Sequence, residues 1–311
     1  MDYLQIKNSD FQISRIGFGG GPLGKHGWSG IDVDELVSCI PMAIDGGINF
    51  FDTADCYGLG ESEINLAKGL RGMRDKAFIA TKFGVRIGND GKSYYDNSKN
   101  YLDKALDASL KRLATDVVDL YQIHYWDGKI PIEDTLGELS RKREEGKIRY
   151  FGVTNIDLPT GFHSNGLLSF SYDYSLITRQ NEHKTDQLLK ENDQLLFIAH
   201  SVLAQGILSG KYNINTKFPE DDRRSRDAYV NFHAKLPAIV AYLNSIQHEI
   251  IQDNSMNMPQ LAIKWVLQKI HKCITLVGVR SKKQLETFLN SDTWFLSEES
   301  MSKLEKMVIE F

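Results

Sequence analysis

Four side chains of complementary chemistry fall at or just past the ends of short apolar runs. Asp52 closes INFFD, Lys82 closes AFIATK, His124 closes VVDLYQIH, and Tyr57 lies five residues beyond Asp52 in DTADCYGLGE. Taken singly, each has an ordinary structural role: an Asp caps a turn, a Lys is solvated at a strand end, a His or Tyr packs. Together they solve one chemical problem. A tyrosine hydroxyl, with an ordinary pKa of about 10, is a poor proton source near neutrality. An adjacent ammonium stabilises the phenolate and lowers that value. A carboxylate holds the ammonium, and a histidine bonds or orients a substrate oxygen. The set is a tuned general acid for reducing a carbonyl.

Such a set works only if the chain brings it to one face. Eight short runs rich in Ile, Val, Phe and Tyr recur along the sequence, at 15–19, 48–52, 77–82, 117–124, 148–153, 167–172, 195–200 and 274–279. Continuous apolar runs suit parallel strands covered on both sides. Helical periodicity occupies the intervals 34–45, 61–71, 98–113, 131–145, 183–193, 235–253 and 259–270. In 98–113, Leu102, Leu106, Leu110 and Leu113 share one stripe. The segment 131–145 opens on Pro131 with Glu133 and Asp134 in its first turn and stops at Gly146, as the helix dipole and capping preferences favour.

Eight strands alternating with helices predict an α/β fold: a closed (β/α)8 TIM barrel, a single domain over residues 1–311. A doubly wound open sheet is the competing arrangement, but FGGGPLG at 18–24 lacks the GxGxxG spacing of a Rossmann turn. In a barrel the active face lies at the carboxy-terminal strand ends. Asp52, Lys82, His124 and His200 close the second, third, fourth and seventh strands, and Asn155 follows the fifth. The long connection 201–273, with its charged stretch EDDRRSRD at 220–227, is a candidate lid or cofactor clasp; a solvated surface insertion is the alternative.

Composition narrows the function classes. The 311 residues are 41% hydrophobic and 25% charged, and Lys plus Arg fall four short of Asp plus Glu, so there is no electrostatic footprint for nucleic acid or an anionic membrane. Cys39, Cys56 and Cys273 are far apart, which argues against zinc and disulfide frameworks and fits a reduced, cytoplasmic setting. No HxH follows any strand, so no metal is expected. Neither a signal peptide nor an 18-residue apolar span is visible.

Longer stretches carry a more specific signal. DGGINFFDTADCYGLGESE (45–63), ATKFG (80–84), SLKRLATDVVDLYQIHYWD (109–127), EGKIRYFGVTN (145–155), SVLAQGILSGKY (201–212) and GVRSKKQLE (278–286) run in the order of the aldo-keto reductases, and the chain resembles that family over nearly its whole length. The resemblance implies a barrel that binds a nicotinamide dinucleotide without a Rossmann fold. It implies catalytic roles for Asp52, Tyr57, Lys82 and His124, with Tyr57 protonating a carbonyl oxygen as hydride reaches its carbon. Thr154 and Asn155 match the pair that holds the carboxamide. Gly19 and Gly20 belong to the same implied cofactor site. Leu203, Gln205 and Lys211 match the segment around the pyrophosphate, and Gly278, Arg280 and Gln284 the adenosine end. Arg280, with Lys282 or Lys283, suits a 2′-phosphate, which favours NADP(H) over NAD(H).

Several positions depart from the family pattern. Ser171 stands where a Gln is usual. His200, followed by Ser201, stands where a stacking Tyr or Trp is usual. Thr287 and Phe288 replace a Glu-Asn pair. The interval between Asn155 and Ser171 is short, which predicts a stunted fifth helix. The substrate pocket is expected from Leu23 and Trp28 after the first strand, with Pro22 beside them, and from Tyr125 and Trp126 after His124. Lys25, His26, Arg86 and Arg224 are either contacts for an acidic substrate or exposed loop charges. The implied activity is reduction of an aldehyde, ketone or sugar-like carbonyl. The alternatives are a nicotinamide-binding regulatory module with little turnover, and a lyase or epimerase that uses bound cofactor transiently. A small-molecule carbonyl compound is the expected partner, with no nucleic acid and no membrane; oligomeric state is not readable.

Overall fold

The computed structural model describes all residues except 89, 160–161, 163–165, 221, 226–229, 252–255, 290–293 and 308–311. Its centre is a closed barrel of eight parallel strands: β1 (Ile16–Gly19), β2 (Phe50–Asp52), β3 (Phe78–Phe83), β4 (Val118–Ile123), β5 (Ile148–Thr154), β6 (Leu167–Asp173), β7 (Leu196–His200) and β8 (Cys273–Gly278). Each strand pairs with its neighbours in sequence, and β8 closes on β1. The expected barrel is the fold observed, at the eight expected places.

Period-two alternation sorts the strand residues. One set faces outward and packs beneath the helices; Phe51, Ile79, Tyr121, Val153, Phe197 and Val277 belong to this larger core. The other set faces the barrel axis. Phe50, Phe78, Leu120, Ile198 and Leu276 fill its lower part, closed from below by Ile6 and Ile13 of an amino-terminal hairpin (Tyr3–Gln5 with Gln12–Ser14). Two residues further along the same inward faces the chemistry changes: Asp52, Gln122, His200 and Gly278 follow Phe50, Leu120, Ile198 and Leu276, while Lys82 follows Ala80. The barrel is thus a greasy plug below and a ring of polar groups and glycines above.

Helices enclose the barrel. These are α1 (Val33–Asp45), α2 (Glu61–Gly69), α3 (Lys99–Leu113), α4 (Ile132–Glu144), α5 (Glu182–Glu191), α6 (Val230–Ile246), α7 (Met258–Lys269), α8 (Lys282–Phe288) and α9 (Glu298–Lys306). Side-chain caps set several starts: Asp32 accepts from the amides of Asp34 and Glu35, Ser98 from Tyr101, and Asn257 forms a reciprocal box with Gln260. The expected helix at 235–253 instead begins at Val230 and passes into one π turn, Gln247–Ile251. Helices α8 and α9 were not apparent from periodicity. Between β5 and β6 the described residues contain no helix, and 160–161 and 163–165 of the expected short fifth helix lie outside the described residues. A second hairpin, Val85–Ile87 with Ser93–Tyr95, follows β3 on the active face.

Arg15 locks the seam where the barrel closes. Its guanidinium donates to the carbonyls of Leu267 (2.7 Å), Ile270 (2.9 Å) and Cys273 (3.3 Å), at the end of α7 and the start of β8. Removing a charged donor leaves these partly buried carbonyls without it. Arg15→Ala should lower unfolding stability by about 2 kcal/mol, read as a reduced urea midpoint with unchanged slope.

Candidate active site

The strongest feature is a buried ion pair. Lys82 Nζ lies 2.6 Å from both carboxylate oxygens of Asp52 and donates to the Thr53 carbonyl at 2.9 Å. All three ammonium protons therefore have an acceptor, and Asp52 and Lys82 are only 4% and 3% exposed. Burial pushes the Asp52 carboxyl upward, and the Lys82 charge and hydrogen bond oppose that push.

Backbone packing places Tyr57 against this pair. The Lys82 ammonium is 5.4 Å from the Tyr57 ring centre. Tyr57 opens a short 3-10 turn, Tyr57–Gly60, that abuts the loop after β1. A Cβ on Gly24 would come within 2.7 Å of the Tyr57 carbonyl carbon, and one on Gly58, at φ +60°, within 2.2 Å of the Gly24 carbonyl oxygen. Only glycine allows the approach. Gly20 is equally constrained, since its Cβ would meet the Asp52 carbonyl oxygen at 2.7 Å. Ser62 joins the two loops by donating to the Gly20 carbonyl and accepting from Thr53.

His124, just past β4, completes the expected group. Its ring meets the Tyr57 ring edge-on at 5.8 Å and stacks on Tyr125 at 5.1 Å, and Tyr125 stacks in turn on Tyr95 at 4.9 Å. Burial first, then the charges of Lys82 and His200, push the imidazole well below its ordinary value, so it is neutral at physiological pH. Nδ1 lies 3.6 Å from Cys56 Sγ. The structure therefore brings Asp52, Tyr57, Lys82 and His124 together.

Beside them lies a second polar group. Thr154 ends β5, and Asn155, at φ +56°, turns the chain away. Ser171 pairs with Thr154 across the strands, and its carbonyl accepts the Asn155 amide at 2.9 Å. His200 Nε2 is 3.0 Å from Asn155 Oδ1, and its Nδ1 is 3.3 Å from Ser201 Oγ, which also accepts from Gln205. Burial, then Lys82, lowers the His200 imidazole to about 4. Among the described residues Ser171 Oγ is buried with no hydrogen-bond partner. This orphaned hydroxyl and the aligned Thr154 and Asn155 fit an amide-bearing ring.

A third group lies along β1 and β8. Gly19 pairs with Gly278, and among the described residues beyond its chain neighbours a Cβ at Gly278 would have only Pro22 within 4 Å, at 3.9 Å. The turn Ala204–Ser209 follows Leu203 with positive φ at Ala204, Gln205 and Gly206, and Lys211 beyond it is exposed. Arg280 donates to the Ser29 carbonyl at 2.6 Å and its amide donates to Gln284 Oε1 at 2.9 Å. Its guanidinium lies 5.5 Å from the Trp28 ring centre, and that of Arg224 lies 5.8 Å from it.

Some expectations need correction. Leu23 is fully buried in the outer core, so its side chain offers no face to a substrate. Trp28 lies against the guanidinium groups of Arg280 and Arg224. Arg224 is no exposed loop charge: it is 5% exposed and binds both oxygens of Asp222, which also accepts from Ser29. The clasp segment 220–227 is described only at 220 and 222–225. Arg86 pairs with Asp96 at 2.9 Å. Phe288 is buried, and Thr287 Oγ1 donates to the Lys283 carbonyl. Trp126 is 43% exposed and bonds the Ile130 carbonyl.

The sequence reading missed Cys56 as a partner of His124, Gln122 beside Thr154, and Tyr95 on Tyr125. For Gln122 the signal was present, as a polar residue on the inward face two before His124. Among the described residues no group of three or more His, Cys, Asp or Glu side chains is placed to hold a metal, and no helix is long and apolar enough to cross a membrane.

Comparison with known proteins places this geometry in context. The model of the Aldo/keto reductase family matches residues 15–309. Aldo-keto reductase YhdN of Bacillus subtilis is 29% identical, over 99% of this chain and 94% of its own. Aldo-keto reductase yakc [NADP(+)] of Schizosaccharomyces pombe is 30% identical, over 88% and 82%. Among solved structures, the glycerol dehydrogenase AKR11B4 from Gluconobacter oxydans superposes with a TM-score of 0.86 at 28% identity, over 98% of this chain and 94% of that one.

The depressed value of His200 makes stability depend on pH. In the unfolded chain His200 takes up a proton near its ordinary value of about 6.5; in the folded chain it does so only at about 4. Protons therefore favour the unfolded state between those values, and this contribution is lost as pH falls. His200→Tyr removes it. The variant's Tm relative to the parent should rise steadily from pH 6.5 to pH 4; a constant difference would mean that His200 titrates alike in both states.

Proposed function

The chain belongs to the aldo/keto reductase family, and from that premise we propose that it is an NADP(H)-dependent reductase of an aldehyde, ketone or sugar-like carbonyl. We infer a single barrel domain over residues 1–311, with Tyr57 as the general acid. The observation that carries this reading is the Lys82 ammonium, satisfied by three acceptors and held beneath the Tyr57 ring, next to a neutral His124.

When bound, the dinucleotide supplies hydride to the carbonyl carbon. The protein's own residues do the rest. Thr154, Asn155 and Ser171 present hydroxyl and amide groups for the carboxamide, with His200 holding Asn155. Gly19, Gly20 and Gly278 leave a side-chain-free surface. Leu203, Gln205, Ser201 and Lys211 serve the pyrophosphate segment. Arg280, backed by Gln284 and the Trp28 ring, serves the 2′-phosphate. The name of the Schizosaccharomyces relative carries NADP(+), which supports this preference.

At the reacting centre Tyr57 holds the proton that the carbonyl oxygen acquires. Lys82 stabilises the phenolate left behind, and Asp52 keeps Lys82 in place and charged. His124, uncharged, bonds the carbonyl oxygen without competing for the proton. Tyr125, stacked on His124, and the exposed Trp126 next to it are the residues assigned to the rest of the substrate.

Two substitutions test the reading. Tyr57→Phe should lower kcat by about 10²–10⁴-fold while the NADPH Kd, followed by nicotinamide fluorescence, stays within about twofold. Failure of the parent protein to bind either dinucleotide would overturn the proposal. Arg280→Ala should weaken NADPH about tenfold or more, with little effect on NADH, because only NADPH carries the 2′-phosphate. An equal loss for both would remove Arg280 from phosphate recognition.

A further inference from the structure

We propose that Cys56 is a positioning residue whose thiol donates a hydrogen bond to Nδ1 of His124 and thereby fixes the imidazole proton on Nε2. The proposal rests on the reading above, in which His124 bonds a carbonyl oxygen. A neutral imidazole carries one proton on either nitrogen, and the partner of one decides the state of the other. Only the Nε2–H form can donate to a carbonyl oxygen. The Nδ1–H form would set a lone pair against another lone pair.

The geometry supplies the selecting partner. Cys56 Sγ lies 3.6 Å from His124 Nδ1, an ordinary separation for a hydrogen bond involving sulfur. Among the described residues Cys56 is the one side-chain hydrogen-bond partner of His124, and it meets Nδ1, not Nε2. Tyr125 covers one face of the ring and the Tyr57 ring meets it edge-on, contacts that restrict its rotation.

Chemistry sets the direction of the bond. A thiol sulfur is a weak acceptor, whereas an imidazole nitrogen lone pair is a good one, so S–H to N is the better of the two arrangements. The thiol keeps its proton, since burial raises it to about 12, and the imidazole stays neutral for the reason given above. Cys56 directly precedes Tyr57, so one turn of chain carries the general acid and also sets the tautomer of its neighbour. The assignment gives this half-buried cysteine a function that needs no thiolate and no oxidation.

The test is imidazole ¹⁵N NMR on histidine-labelled protein, with His124 assigned through His124→Gln. The parent protein should show an unprotonated Nδ1 and a protonated Nε2. Cys56→Val, close in volume and without a donor, should give a mixture of tautomers and a kcat about five- to tenfold lower, with the cofactor Kd unchanged. Cys56→Ser, which restores a donor, should recover the single tautomer and most of kcat. A protonated Nδ1 in the parent, or an unaltered tautomer in Cys56→Val, would overturn the proposal. The NMR signature does not depend on turnover, so a protein that bound no dinucleotide would defeat the functional reading while this assignment stood or fell separately.

Discussion

The bond between Asp52 and Lys82 is the constraint to which the rest of the site answers. Two opposite charges sit inside a barrel at 4% and 3% exposure. Burying them costs solvation that only close pairing and full hydrogen bonding offset, and removing one partner from such a pair typically costs about 3–5 kcal/mol. The fold meets the requirement through register. Asp52 pairs with Ala80, so Lys82, two residues on, rises on the same inward face. The Thr53 carbonyl takes the third proton because β2 ends there and its carbonyl is released from the ladder. Glycines at 20, 24 and 58 let the loops after β1 and β2 close over the pair, and this closure seats Tyr57 above the ammonium.

The same pair reaches further than its contacts. Its positive end is one reason that both nearby imidazoles, His124 and His200, resist protonation. In the proposed mechanism an uncharged His124 shares a hydrogen bond with a carbonyl oxygen and leaves proton donation to Tyr57. An uncharged His200 can lie against Asn155 without placing a second cation in this polar group. The polar ring above and the apolar plug below thus divide the work: the plug holds the strands in register, and register sets the charges.

Much of this was legible in the sequence, and what was not has physical reasons. Eight continuous apolar runs reveal buried parallel strands because both faces are covered. Asp52, Lys82 and His124 were readable because a polar residue ending such a run must stand at a strand end. Cys56 was not readable as a partner of His124, since a contact across 68 positions depends on how two loops pack. Leu23 was assigned by position in a loop, and position does not say which side chain turns inward. Arg224 read as either a substrate contact or an exposed loop charge, because Asp222 is recognised as its partner only once the loop is folded. The short helix α8 spans too few residues for a periodic stripe to emerge.

The central claim is that Lys82, held by Asp52, tunes Tyr57 as the proton donor. The most direct measurement is the pH dependence of kcat/KM for carbonyl reduction by the parent protein and by Lys82→Met. The account predicts a lower plateau and an alkaline limb displaced upward by about one pH unit or more, as the phenolate loses its neighbouring cation. A limb at the same pH in both proteins would contradict it, and would assign the titration to a group other than Tyr57.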